Sequence, residues 1–198
     1  MYELIILAQL MRHQAHGYLI AKIINDMIGP YAHISNGRLY PLLAKLQQSG
    51  LIALRVENTS GQQGDRQLRT YEITDAGRKR FHELMMDTTA NPGEYQKFFT
   101  QKVSYFSLLK PVERLRLIDH YNNYCQAHIL HLQAEAEDMT REFASWGEAE
   151  NISWLQDVLN VMQHTVDQWE LELQWIKSLR EKEKLVIQEN NIQQENRL

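Results

Sequence analysis

From Leu115 to Phe143, and again from Leu159 to Ile176, apolar residues recur at alternating steps of three and four. Leu115, Ile118, Asn122, Cys125, Ile129, Leu132, Ala136, Met139 and Phe143 make the first series. Leu159, Met162, Val166, Trp169, Leu173 and Ile176 make the second. This spacing draws a narrow stripe along a helix, and another helix covers such a stripe in coiled-coil fashion. The spacing predicts helices over 94–109, 112–144 and from Ile152 onward, with a connector over 145–151. If the last helix reaches Lys184, it is roughly 50 Å long. A helical hairpin within one chain covers part of this surface. Two arms of such length leave more apolar surface than one small chain covers, so a homodimer is expected. Its expected interface is Leu115, Ile118, Asn122, Leu159, Met162, Val166, Trp169, Leu173 and Ile176. Asn122 is the polar exception, of the kind that fixes helix register at some cost in stability. The tail QENNIQQENRL is polar and is expected to fray after about 185.

The chain before Asn91-Pro92-Gly93 has a different texture. Tyr2–Arg12 and Gly17–Ile28 pattern as short helices, the second ended by Gly29-Pro30. SNGRLYPLLAKLQQSGLI (35–52) starts and stops like a helix but holds Pro41 inside, where it removes a backbone donor and crowds the carbonyl four residues back. LIALRVE and LRTYEI alternate like strands around the polar loop NTSGQQGDR, and Thr74-Asp75 offers a cap for a helix from Ala76 to about Asp87. Helices, a hairpin and another helix are the plan of a winged helix-turn-helix, the hairpin being a two-stranded wing. The expected fold is mainly α: a winged helix-turn-helix over 1–90 and an all-helical, coiled-coil-like dimerisation domain over 91–198.

Charge divides the same way. Residues 1–85 hold ten Lys/Arg and seven Asp/Glu, against eleven and eighteen in 86–198. A nucleic-acid partner is thus compatible with the first part only. A recognition helix presents short polar and basic side chains from its first turns. Ser35, Asn36 and Arg38 fit, Arg being the usual reader of guanine and Asn of adenine. Gly37 permits close backbone approach, Tyr40 is suited to a phosphate, and Leu39, Leu42, Leu43 and Leu46 would hold the helix to its domain. Arg66 and Arg69, at the wing and its base, suit phosphate or the minor groove.

No phosphate-binding glycine loop or nucleophile elbow occurs, so no enzyme is expected. Cys125-x-x-His128-x-x-His131 lacks an evident fourth ligand, and no metal or cofactor is expected. His13 and His16 read as polar surface. A single cysteine fits a reduced, cytoplasmic setting, and no membrane span is expected.

The order HGYLIAKII, SNGRLYPLLAKLQQSGLI and RTYEITDAGRKRF resembles the PadR family of bacterial transcription regulators. The resemblance spans about residues 1–85 and rests on G-Y-x-I, L-Y-P-L-L, S-G-L-I and Y-x-I-T-x-x-G. It implies that Pro41 is a tolerated bend beside the DNA-facing turn. It further implies a homodimer formed by the C-terminal helices and a palindromic operator in double-stranded DNA. The long helical arm is similar to the branch that includes repressors of phenolic-acid decarboxylase genes and virulence activators. A small aromatic effector is implied, and Tyr18, Tyr121, Tyr124 and Trp154 are its expected contacts. A repressor is the leading expectation. An activator, or a winged-helix interaction module without DNA binding, is the alternative.

Overall fold

A computed structural model describes the backbone of residues 1–28, 33–57, 68–89, 92–146 and 152–195. Arg66, Gly29-Pro30 and the loop NTSGQQGDR, placed in the wing, in the end of a helix and at the hairpin tip by sequence, lie outside the described residues. The chain divides into two compact units, Met1–Ala90 and Asn91–Leu198.

The first unit is built on α1 (Tyr2–Arg12), whose residues Leu4 to Leu10 are all buried. A helix apolar all round needs cover on every side, and α1 receives it from α2 (Gly17–Ile28), α4 (Asp75–Met86) and a sheet. That sheet has three strands, β1 (Ala15–His16), β2 (Ile52–Glu57) and β3 (Leu68–Ile73), in the order β1-β3-β2. The hairpin β2–β3 is antiparallel and opposes Ile52 to Ile73 and Val56 to Arg69. β1, which no sequence pattern predicts, pairs Ala15 with Tyr71 and His16 with Thr70. The winged helix-turn-helix is thus present, with one short strand added to its wing.

α3 (Asn36–Gln48) runs unbroken through Pro41. Its end is a Schellman motif. Gly50 adopts φ +68, its N–H reaches the Gln47 carbonyl at 2.9 Å, and the Leu51 N–H reaches the Leu46 carbonyl at 3.0 Å. Thr74 then ties three elements together. Its hydroxyl donates to the carbonyls of Gly50 (2.6 Å) and Leu51 (3.0 Å) and accepts the Gly77 N–H (3.1 Å), capping α4. A Cβ on Gly77 would stand 2.0 Å from the Leu51 carbonyl oxygen, so only glycine lets α4 start here. The S-G-L-I and T-x-x-G stretches are two halves of one junction.

The second unit departs from the predicted helix over 94–109. A 3-10 turn (Pro92–Glu94) leads into α5 (Tyr95–Val103), and a second 3-10 turn covers Phe106–Leu108. Tyr105, Phe106 and Leu109 are buried, so the apolar spacing continues after the helix has ended. α6 (Pro111–Trp146) and α7 (Ile152–Glu195) follow, and α7 continues as helix past Lys184 rather than fraying there. They form an antiparallel hairpin. Arg114 pairs with Glu183 at 3.1 Å, Asp119 with Arg180 at 2.6 Å, and the Tyr121 hydroxyl donates to Glu172 at 2.9 Å. Ile118, Val166 and Ile176, expected at a dimer interface, are buried within the chain. The opposite arm of the hairpin meets them first. Leu115, Asn122, Leu159, Met162, Trp169 and Leu173 are half-buried. Among the described residues no helix is long and apolar enough to cross a membrane.

Candidate nucleic-acid interface

α3 has a wet start and a dry underside. Leu39, Leu43 and Leu46 are buried, whereas Ser35, Asn36, Gly37, Arg38, Tyr40 and Pro41 are exposed. The turn before the helix is held by Asn25, whose side-chain carbonyl accepts the Ile34 N–H at 2.7 Å. Ser35 occupies the N-cap without a side-chain cap bond, and its carbonyl accepts both the Arg38 and the Leu39 N–H at 3.0 Å. Its hydroxyl is therefore not engaged in holding the helix. Pro41 cannot donate to the Gly37 carbonyl. Both residues lie on the exposed side, where water can satisfy that oxygen.

Among the described residues, a Cβ on Gly37 would meet only the Ser35 hydroxyl oxygen, at 3.9 Å, so none of them calls for glycine there. Gly17 is the reverse case. A Cβ there would come within 3.0 Å of the Tyr40 ring and hydroxyl. The G-Y that opens α2 and the L-Y-P of α3 are thus in contact, and Tyr40 is braced on Gly17 with 47% of its surface exposed. Tyr71 on β3 has its phenol pushed above its usual range by burial first and by Tyr40 second. Arg38 is not extended freely. Its guanidinium carbon lies 5.4 Å from the centre of the Tyr2 ring, a cation–π distance.

Other cations of this unit divide into engaged and open ones. Arg55 is paired with Glu72 at 2.7 Å and Arg80 with Glu3 at 2.9 Å. Lys22, Lys45, Arg69 and Lys79 are exposed. Lys22 and Lys79 are not foreseeable from sequence, because a lone lysine on a helix carries no positional signal. His16 is more than polar surface: its Nδ1 accepts the Leu19 N–H at 3.1 Å and caps α2. His13 meets the Gln9 amide at 3.0 Å.

The four aromatic residues expected around an effector fall in different settings. Tyr18 is 75% exposed in the first unit, and Trp154 is 53% exposed on α7. Tyr121 and Tyr124 stack at 5.9 Å. Tyr121 is fully buried, stacked on Phe99 at 4.0 Å, and is a core residue of the helical unit rather than an open lining. Tyr95 meets it edge-on at 5.7 Å, while Trp169 and His128 gather around Tyr124, His128 being stacked on Trp169 at 4.5 Å. Cys125 is buried in the same layer, and burial pushes its thiol up to about 11. Cys125, His128 and His131 do not converge on one point: His128 lies on Trp169, while His131 faces Glu135 at 4.0 Å. Among the described residues no three His, Cys, Asp or Glu side chains form a metal-holding group.

Residues 6–83 match the family model described as transcriptional regulator PadR-like family. Among solved structures, Bacillus subtilis PadR in complex with operator DNA is 19% identical, with 91% of this chain and 96% of that chain covered and a TM-score of 0.40. The same protein in complex with p-coumaric acid is 19% identical, with 92% and 94% covered and a TM-score of 0.37. The PadR-like regulator BC1756 from Bacillus cereus is 20% identical, with 88% and 94% covered and a TM-score of 0.36. No curated protein matches this chain.

Proposed function

We propose, from the PadR-like transcriptional regulator domain that residues 6–83 of this chain carry, that the protein is a dimeric repressor of a palindromic operator. The observation that carries this reading is the division of α3: Leu39, Leu43 and Leu46 anchor it, and Ser35, Asn36, Gly37, Arg38 and Tyr40 stand open at its N-terminal turns. A helix in the major groove reads bases from its first turns. Asn36 and Arg38 supply the two side-chain types that address adenine and guanine in bidentate fashion. Arg69 lies opposite Val56 at the loop end of the hairpin rather than at its base, and it contacts the sugar-phosphate backbone beside the groove together with Arg66, which the sequence assigns to the wing loop. Two copies place two such helices on two half-sites, which is why the operator is palindromic.

A gel shift with the DNA upstream of the gene, repeated at rising salt, tests it. Phosphate contacts release counterions, so affinity falls steeply with salt. Binding that is absent, or insensitive to salt, identifies an interaction module instead. Transcription from the bound promoter, with and without the protein, separates repressor from activator.

Release by a small aromatic acid completes the reading. Titration with p-coumarate is the test, following tryptophan fluorescence and operator affinity together. A ligand that favours the DNA-free form weakens the operator by the same coupling factor. No change in either signal removes phenolic acids as effectors.

A further inference from the structure

Of the side chains open at the start of α3, two are seated from other helices. Tyr40 rests on Gly17 of α2. Arg38 lies over the ring of Tyr2, with 5.4 Å from its guanidinium carbon to the ring centre. Tyr2 is half-buried in the first turn of α1, while Arg38 is exposed. The next residue of α1 holds an arginine by the opposite means. Glu3 pairs with Arg80 of α4 at 2.9 Å, and Arg80 also meets Glu83 at 3.4 Å. Successive residues of a helix point about 100° apart. α1 thus offers a ring to α3 and a carboxylate to α4.

The two seats leave two different arginines. A carboxylate cancels the charge of Arg80 and accepts from its N–H fork, which leaves little for a ligand. A phenol ring carries no formal charge. It attracts a cation through its quadrupole, and the guanidinium keeps its charge and its fork of donors for another partner. Among the described residues no carboxylate pairs with Arg38. Glu3, the neighbour of Tyr2 in the chain, is engaged by Arg80 and does not compete.

We propose that Tyr2 is a positioning residue for base reading: its ring holds the Arg38 side chain in place before DNA arrives and leaves the charge and the donors that a guanine takes. This rests on the operator-binding reading above. It goes beyond that reading by adding a residue that lies outside α3, outside the hairpin and before the stretch 6–83 that matches the family model. A mobile arginine loses its rotamer freedom when it is fixed on a base edge. A seat on Tyr2 moves part of that loss from binding to folding, so the complex forms more tightly. An arginine held in one geometry is also less able to swing to a neighbouring base or phosphate, so the seat sharpens preference at one position of each half-site.

Operator affinity and base preference of the full chain test this, with melting temperature taken from the same preparation. Tyr2→Phe keeps the ring and is expected to bind as the wild type does. Tyr2→Leu keeps bulk without the ring. It is expected to bind about threefold more weakly per half-site, or about tenfold in a dimer, and to relax the same base position that Arg38→Ala relaxes. In an Arg38→Ala background, Tyr2→Leu is expected to cost nothing further, because its effect passes through the arginine. Tyr2→Gln repeats the cycle if the leucine variant unfolds at the assay temperature. A loss that persists undiminished without Arg38, or one as large in Tyr2→Phe as in Tyr2→Leu, makes Tyr2 a packing residue or a DNA contact in its own right and overturns the proposal. Wild-type affinity and preference in Tyr2→Leu, or in Arg38→Ala, overturn it as well. In each of these cases operator binding itself still stands. A wild-type chain that binds no DNA upstream of its gene overturns both readings.

Discussion

Gly37→Ala separates what the fold needs from what the operator needs. The Cβ has open space, and alanine favours helix over glycine by about 0.5–1 kcal/mol. Thermal unfolding of the variant is expected at the same or a slightly higher temperature, with operator affinity reduced because the added methyl stands between backbone and phosphate. Equal affinity in a gel shift would remove Gly37 from the interface. Arg38→Ala is expected to cost about 1–3 kcal/mol of operator binding if it reads a base, with relaxed preference at one position per half-site. If Arg38 instead neutralises a phosphate, its removal weakens all sequences alike and lowers the salt slope by roughly one for each phosphate set free. Lys45→Ala, two turns further along α3, is the milder comparison. The exposure of Ser35, Asn36 and Arg38 is legible from the leucine spacing alone. The seat of Arg38 over Tyr2 is not, because a contact between residues that far apart in the chain leaves no periodic trace.

At the scale of elements, the junction at Thr74 holds the end of α3, the sheet and the start of α4. Thr74→Ala removes a cap, typically about 1 kcal/mol, and leaves the Gly77 N–H without its acceptor. Gly77→Ala is the harsher change, since its methyl and the Leu51 carbonyl cannot both keep their places. Chemical denaturation is expected to show a modest loss for the first and a much larger one for the second. A small effect at Gly77 would mean that α4 slides away from β2 at little cost. The helices and the hairpin of this unit are readable because caps, glycines and alternation agree there. β1 is not, since two residues are too few to alternate. The end of α5 is hidden because Tyr105, Phe106 and Leu109 keep an apolar face across the break. The reach of α7 to Glu195 is hidden for the opposite reason: Gln, Glu and Lys are good helix formers that carry no stripe. The 3-4 stripe itself announces helix pairing, yet a stripe cannot say whether its cover comes from the same chain or another.

For the molecule as a whole, acidity acts on the second unit. His128 is held below its usual range by burial against Tyr124 and Trp169, with His131 adding to it. His120, bonded to the Tyr95 hydroxyl at 3.0 Å, is lowered by burial first and then by Lys102 and Arg116. Below about pH 6.5 the unfolded chain binds protons that the folded unit resists. The contribution of both histidines is therefore present above that pH and is lost as pH falls toward their lowered values. All four tryptophans lie after residue 145, so fluorescence follows this unit alone. Its melting temperature is expected to fall from pH 7.5 to pH 5.5, with a shallower fall in His128→Gln. A flat profile in the wild type would mean that neither ring feels its surroundings.

The contact between Gly17 and Tyr40 makes two positions one heritable unit. Among descendants of this chain, a residue larger than glycine at 17 requires the ring at 40 to give way by a few tenths of an ångström, and a smaller side chain at 40 makes glycine at 17 dispensable. The repertoire of operators open to such a lineage is therefore narrowed by a residue that need never touch DNA.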